Sequence, residues 1–310
     1  NDANYTVSAV NWNGNPNKFL GSNEYTATFT LTANAGFAFV SETTVTVEGA
    51  VVTKTLNNDG TLSVAAKFSA TGAAVPENIA VKTKPNTVEY TYGDKFNPTG
   101  LVITVTYDDG TTNDIAYNDT NKDAFSFDPA DITVATTKIT VTYVGKNADI
   151  DIKVNKANLT VKVNDATATY GDAVPSYTVE YEGFVNSEDK DVLGGTLVFA
   201  CDYAQFSNKG AYTVKASGYT SDNYNINYVD GTLTISPKPI TVTIQNATSV
   251  YGDEVAELKA TDSGIVNNDT NVYSLATTAT STSNVGKYAI TGTALDSNYA
   301  ITFANETDAY

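Results

Sequence analysis

Leu159-Thr160-Val161-Lys162-Val163, followed by Tyr170-Gly171-Asp172, returns as Ile240-Thr241-Val242-Thr243-Ile244 followed by Tyr251-Gly252-Asp253. Both runs alternate apolar and polar or exposed positions, the period-two pattern of a strand that buries one face. A third triplet stands at Tyr92-Gly93-Asp94, so the three lie 78 and then 81 residues apart. A period of about 80 residues matches a small β domain able to bury a core of its own, unlike a short solenoid repeat.

Beyond the triplets the last two copies stay in step. Gly183-Phe184-Val185-Asn186 corresponds to Gly264-Ile265-Val266-Asn267, and Lys209-Gly210-Ala211-Tyr212 to Val285-Gly286-Lys287-Tyr288. Asp222-Asn223-Tyr224 then parallels the segment from Asp296 to Asn298-Tyr299. The unit holding Tyr92 is different, with Leu101-Val102-Ile103-Thr104-Val105-Thr106-Tyr107 and Lys138-Ile139-Thr140-Val141-Thr142-Tyr143 as its strand candidates. The first 70 residues lack the triplet; their strand candidates are Tyr25–Leu31, Thr44–Val47 and Leu62–Val64.

Four modules follow, at 1–74, 75–155, 156–236 and 237–310. The joints are short, and Pro237 and Pro239 in Ser236-Pro237-Lys238-Pro239 fix φ, so the last two modules are expected to meet at a restricted angle. Each module is expected to seal its own interior and to touch its neighbours only end to end. At a rise of about 3.3 Å per residue a module is roughly 30–40 Å long, and four in line reach on the order of 140 Å.

Asn58-Asp59-Gly60, Asp108-Asp109-Gly110 and Val229-Asp230-Gly231 sit between alternating segments and read as hairpin turns. Ser187-Glu188-Asp189-Lys190-Asp191-Val192-Leu193-Gly194 has a cap residue, acids in its first turn and a terminal glycine, and reads as one or two turns of helix. The fold class is therefore all-β: tandem Ig-like β-sandwiches, with a β-grasp arrangement around the short helix open for the last two modules.

Composition removes whole classes of chemistry. The chain has 310 residues, no His, no Met, one Cys and one Trp, and its 18 basic residues are all Lys against 35 Asp and Glu, for a net charge of -17. Without His there is no Ser-His-Asp or Cys-His pair and no imidazole zinc ligand. The negative charge disfavours nucleic acid and anionic membrane, since such binding rests on Lys and Arg neutralising phosphates. No run is long enough to span a membrane, and no signal segment is visible at Asn1. The absence of an initiating Met points to processing from a longer chain. Cys201, alternating with Leu197 and Phe199, reads as a small inward-facing hydrophobe and leaves no disulfide framework.

Few residues suggest a ligand. Asp108 and Asp109 with Asp114, Asp128 with Asp131, and Glu188-Asp189 with Asp191 are the candidate calcium ligands, although none has EF-hand or nonapeptide spacing. Their competing roles are hairpin and helix caps. Trp12, between Asn11 and Asn13, is the candidate carbohydrate platform, set against a packing role. A glycosidase-type carboxylate pair needs a cleft that modules of this size seldom provide. The Tyr-Gly-Asp triplet reads as structure: Tyr packs at a strand end, Gly turns and Asp bonds the local backbone. A Lys–Asn isopeptide bond is a further prospect for a load-bearing rod.

Residues 157–310 resemble two copies of the bacterial surface repeat called the MBG domain of the YGX type. The landmarks are Tyr170-Gly171-Asp172, Pro175, Gly183-Phe184, Gly210-Ala211-Tyr212, Asn223-Tyr224 and Gly231-Thr232-Leu233-Thr234-Ile235. In the second copy Val255 and Ala256 stand where Pro is usual, and Glu306-Thr307 replaces the late Gly-Thr. Residues 77–154 resemble a group 3 bacterial Ig-like domain through Tyr92-Gly93-Asp94, Phe96, Thr99-Gly100-Leu101, Tyr107-Asp108-Asp109-Gly110 and Val141-Thr142-Tyr143. Residues 1–70 are similar to a repeat of surface proteins in anaerobic Gram-positive bacteria. The resemblance implies export, an extracellular or cell-surface setting and no catalytic residue. It suggests a monomeric, non-enzymatic stalk or adhesion fragment without cofactor, calcium being the one prospect, and with a cell-wall, glycan or host-surface ligand as candidate partner. The alternative is a carbohydrate-binding or accessory module of a polysaccharide-degrading enzyme.

Overall fold

The computed structural model describes residues 4–14, 16–305 and 310. The chain divides into two compact units, 1–155 and 156–310. Among the described residues nearly every element is a strand, and the helical pieces are two single 3₁₀ turns at Lys122–Ala124 and Lys190–Val192. No helix among them is long and apolar enough to cross a membrane.

The first unit begins with a five-stranded antiparallel sheet. Thr26–Ala33 pairs with Tyr5–Val7, Asn11–Trp12 and Leu62–Phe68, and Leu62–Phe68 pairs in turn with Ala50–Leu56. Alternation decides which face is covered: Leu62, Val64 and Ala66 are buried, and Leu31, Leu62 and Val64 gather Tyr5, Phe29, Phe39, Val45 and Val52 around them. Thr44–Val47, expected as a strand, is not one. The hairpin through Asn58-Asp59-Gly60 recruits Ala50–Leu56 instead, and Val45 lies over the core from an extended loop. The Asp59 carboxylate takes the Thr61 N–H at 3.0 Å and closes that hairpin.

The rest of the unit is a two-sheet body. Pro76–Thr83, Val102–Tyr107 and Thr112–Ala116 form one antiparallel sheet, and Phe125–Asp128, Lys138–Tyr143 and Lys146–Asp151 form the other. Leu101, Ile103, Val105, Ile139, Val141 and Ile150 have no exposed surface. Glu89–Thr91 pairs in parallel with Lys153–Asn155, which brings the end of the segment back beside Tyr92.

In the second unit the two similar stretches share one topology. Ala157–Val163 lies between antiparallel Val179–Glu182 and parallel Tyr224–Val229. Lys238–Ile244 lies likewise between antiparallel Ala260–Ser263 and parallel Tyr299–Ala304. The registers agree as well: Leu159 stands opposite Ile226, and Ile240 opposite Ile301. A second sheet completes the first copy, in the order Ala166–Thr169, Gly231–Ser236, Gly210–Thr220, Gly194–Cys201. In the second copy Tyr273–Thr277 pairs with Ile290–Ala294. Glu306-Thr307 lies outside the described residues.

Two expectations are corrected here. Val229-Asp230-Gly231 is not a hairpin turn, because Tyr224–Val229 and Gly231–Ser236 belong to different sheets and the tripeptide crosses between them. The helix of one or two turns shrinks to Lys190–Val192, capped by Asp189, whose carboxylate accepts the Asp191 N–H at 2.8 Å. No helix packs on a sheet face among the described residues, so the arrangement is a sandwich rather than a β-grasp. Cys201 is half-buried and, with Leu197 and Phe199, packs against the core as its alternation requires.

Two of the three Tyr-Gly-Asp triplets end strands, those at Tyr92 and Tyr170, whereas Tyr251 follows no strand and is exposed, a correction to the expectation that it packs at a strand end. Tyr92 N–H donates to Asn155 O at 2.8 Å, and Tyr170 N–H to Ser236 O at 2.9 Å. The aspartate then folds back on the residue before the tyrosine: Asp94 accepts the Thr91 N–H at 2.7 Å, and Asp172 accepts the Thr169 N–H at 2.9 Å.

Candidate functional site

The most developed polar constellation in the second unit lies where the first repeat meets the second. Val266-Asn267-Asn268-Asp269 forms a tight turn with both central residues at positive φ, 58° and 53°, and the Asp269 N–H closing on Val266 O at 3.0 Å. Asparagine tolerates that left-handed backbone better than most residues. The Tyr299 hydroxyl accepts the Val266 N–H at 3.1 Å and donates to Asp269 Oδ2 at 2.7 Å, which aims the carboxylate. Tyr170, from the triplet of the first repeat, donates to the same oxygen at 2.8 Å. Its ring stands edge-to-face on Tyr299, centroids 5.4 Å apart and planes at 75°.

Gly171 completes the apolar side of the joint. Its φ is +88°, and a Cβ added there would come within 2.9 Å of Val266 Cγ2. Beside it Asn298, 8% exposed, accepts the Lys209 N–H at 2.8 Å and donates to Asn208 Oδ1 at 3.0 Å. Asn298 O takes the Lys238 N–H at 2.8 Å, which ties the start of the second repeat to the same residue.

The apolar core runs through the joint. One cluster contains Val163, Tyr170, Val214, Leu233 and Ile235 of the first repeat with Ile240, Val242, Val272 and Tyr299 of the second. The expectation that each module seals its own interior is therefore corrected for these two. Only Pro237 separates the strand Gly231–Ser236 from Lys238–Ile244, and so short a link keeps the two repeats in contact.

Charge follows from this geometry. Asp269 is held below its ordinary 3.8, chiefly by the Tyr299 hydroxyl and further by that of Tyr170, while partial burial opposes the shift. Tyr170 and Tyr299 are pushed up to about 12, first by burial and then by their bonds to Asp269. Both hydroxyls thus remain donors throughout the neutral range. A carboxylate with a depressed folded pKa contributes stability above its unfolded value, and that contribution disappears as pH falls through the folded value. The acid limb of unfolding below about pH 4 should accordingly be flatter in Asp269→Asn than in the unaltered chain, as read from urea midpoints across that range.

Asn298→Ala should cost about 0.5–1.5 kcal/mol, the net worth of the hydrogen bonds it removes from the Lys209 N–H and the Asn208 side chain. Urea unfolding measures the loss, and amide exchange at Lys209 should accelerate with it.

The residues singled out from sequence are placed separately. Asp108 accepts the Val75 N–H at 3.0 Å, and Asp109 accepts the Thr111 N–H at 2.9 Å. Asp114 pairs with Lys82 and takes the Thr104 hydroxyl at 2.7 Å. Asp131 pairs with Lys95, and Glu188 accepts the Tyr224 hydroxyl. Among the described residues no three His, Cys, Asp or Glu side chains come together in a way that could hold a metal. Trp12 packs against Phe19 at 4.8 Å and Phe68 at 5.5 Å. With Tyr25, Ser69 and Thr71 these rings line an open apolar depression of about 210 Å³.

Asp269 and Asn298 were not picked out from sequence. The signal was present, since an acid follows Val-Asn by two residues in both repeats, at Glu188 and Asp269. The Tyr224 hydroxyl serves Val185 N–H and Glu188 just as Tyr299 serves Val266 N–H and Asp269.

Fold and joint together define a tandem array of Ig-like β-sandwich modules. Residues 159–234 and 240–307 match the family model of the MBG domain (YGX type), and residues 83–154 match that of the bacterial Ig-like domain (group 3). The chain thus carries two of the former and one of the latter, both surface-type repeat modules of bacterial proteins. Similar solved structures include the I-band fragment from titin, 13% identical over 70% of this chain and 94% of that one, with a TM-score of 0.25. Another is the eight N-terminal Ig domains of the Down Syndrome Cell Adhesion Molecule, 12% identical over 93% of this chain and 52% of that one, with a TM-score of 0.22. No curated protein matches the chain.

Proposed function

We propose that the chain is a non-catalytic, extracellular spacer segment of a bacterial cell-surface or secreted protein, built as four modules at 1–74, 75–155, 156–236 and 237–310. The observation that carries this reading is the joint of Tyr170, Asp269, Tyr299 and Asn298, which spends buried aromatic area and hydrogen bonds on fixing one repeat against the next. A segment whose task is to hold a direction needs such a joint, whereas a flexible tether does not. The excess of acidic side chains supports the same role, because like charge keeps extended molecules soluble and apart.

A second reading, carbohydrate binding, is favoured by one feature: the aromatic depression at Trp12 offers ring faces of the kind sugars stack on. A glycan array and a host-cell adhesion assay with the whole chain separate the two. The spacer reading expects no saturable binding in either. Saturable glycan binding that Trp12→Ala abolishes would replace it with the second reading. Protease shaving of intact source cells tests the location, the expectation being release of peptides from this chain.

A further inference from the structure

We propose that the far end of the second repeat is a docking face for another YGX-type repeat, which would be held there as the second repeat is held on the first. The face that the first repeat offers consists of Tyr170, Gly171, Asn208 and the Lys209 N–H. In the second repeat the corresponding positions are Tyr251, Gly252, Asn284 and Val285.

The loops that carry these residues are built alike. The Tyr212 hydroxyl donates to Asn208 O at 2.6 Å, and the Tyr288 hydroxyl to Asn284 O at 2.8 Å. The Ala204 N–H meets the Ser207 hydroxyl at 3.1 Å, and the Thr280 N–H meets the Ser283 hydroxyl at 2.8 Å. Gly171 and Gly252 have φ of +88° and +93°. The strand Ala166–Thr169 that leads into Tyr170 has no counterpart before Tyr251 among the described residues, where the Gly252 N–H bonds Ser281 O instead, and the cover differs too. Tyr170 is 4% exposed and Tyr251 66%, and Val285 stands 97% exposed. A Cβ on Gly171 would strike Val266, whereas one on Gly252 would meet nothing within 4 Å. An open cavity of about 140 Å³ lies there, lined by Tyr251, Asn284, Val285 and Tyr288 among others.

The occupant follows from the chemistry of the filled joint. It must bring a carboxylate on a Val-Asn-x-acid turn to the Tyr251 hydroxyl. It must also bring an Asn-Tyr pair whose amide spans the Asn284 side chain and the Val285 N–H. Those are the features that Val266–Asp269 and Asn298-Tyr299 supply to the first repeat. Nucleic acid and simple anions lack this combination of a paired amide and a carboxylate.

The test extends the full chain. Tyr310 exchanges backbone hydrogen bonds with Tyr288 as Leu233 pairs with Tyr212, so residues 234–310 appended after Tyr310 continue in register. Amide exchange is read at Lys209, the internal control, and at Val285. In the unextended chain the Lys209 amide should be protected and the Val285 amide fast. In the extended chain the Val285 amide should slow at least ten-fold, and Tyr251→Ala should abolish that slowing without changing Lys209. A Val285 amide as fast as before overturns the proposal. So does an added copy that fails to fold on this face, since the second repeat folds on the equivalent one.

Discussion

Tyr170→Ala is expected to lower the stability of the 156–310 unit by roughly 3–5 kcal/mol, the range for removing a buried aromatic ring, while Tyr251→Ala changes it by about 0.5 kcal/mol or less. The two residues hold the same place in the same triplet, but Tyr170 ends the strand Ala166–Thr169 whereas no strand precedes Tyr251 among the described residues. To that local difference the second repeat adds cover, the Tyr299 ring and Asp269 lying against Tyr170. Losing Tyr170 opens a cavity beside Tyr299 and takes one of two phenol donors from Asp269. Urea unfolding followed by circular dichroism gives both values. Equal losses at the two positions would mean that the triplet tyrosine works within its own repeat and that the joint contributes nothing.

Leu233→Ala should cost about 2–5 kcal/mol. Leu233 has no exposed surface and sits on the middle strand Gly231–Ser236, between Ala166–Thr169 and Gly210–Thr220. Partial collapse onto the vacancy is hindered because both neighbouring strands are held by ladder hydrogen bonds. Since the same cluster continues into Ile240, Val242 and Tyr299, protection of the Val242 amide should fall together with that of Val214. Protection lost at Val214 but unchanged at Val242 would show two independent cores.

Much of the fold was legible because its signals are local. Alternation in Leu159–Val163 and Ile240–Ile244 marks the central strands, and the ordered landmarks around Tyr170 and Tyr251 mark the repeat. What failed was pairing at a distance. Thr44–Val47 has a strand's composition, yet the partner that would make it one is taken by Ala50–Leu56. Val229-Asp230-Gly231 has a hairpin's composition, yet its flanking strands belong to opposite sheets, a fact of topology rather than of the tripeptide. The joint was half legible. Pro237 and Pro239 announced a stiff, short link, but the side chains that lock it, Asp269 and Asn298, come from turns about 30 and 60 residues further on, where they look like ordinary loop residues.

The central claim is that the two repeats of the 156–310 unit form one body through the Tyr170–Asp269–Asn298 joint. It is tested most directly by the distance between spin labels at Val198 and Ala276, exposed strand positions in the first and second repeats, in a Cys201→Ser background. A single narrow distance distribution that broadens in Tyr170→Ala is the predicted result. A distribution already broad in the unaltered joint, and indifferent to Tyr170, would contradict it.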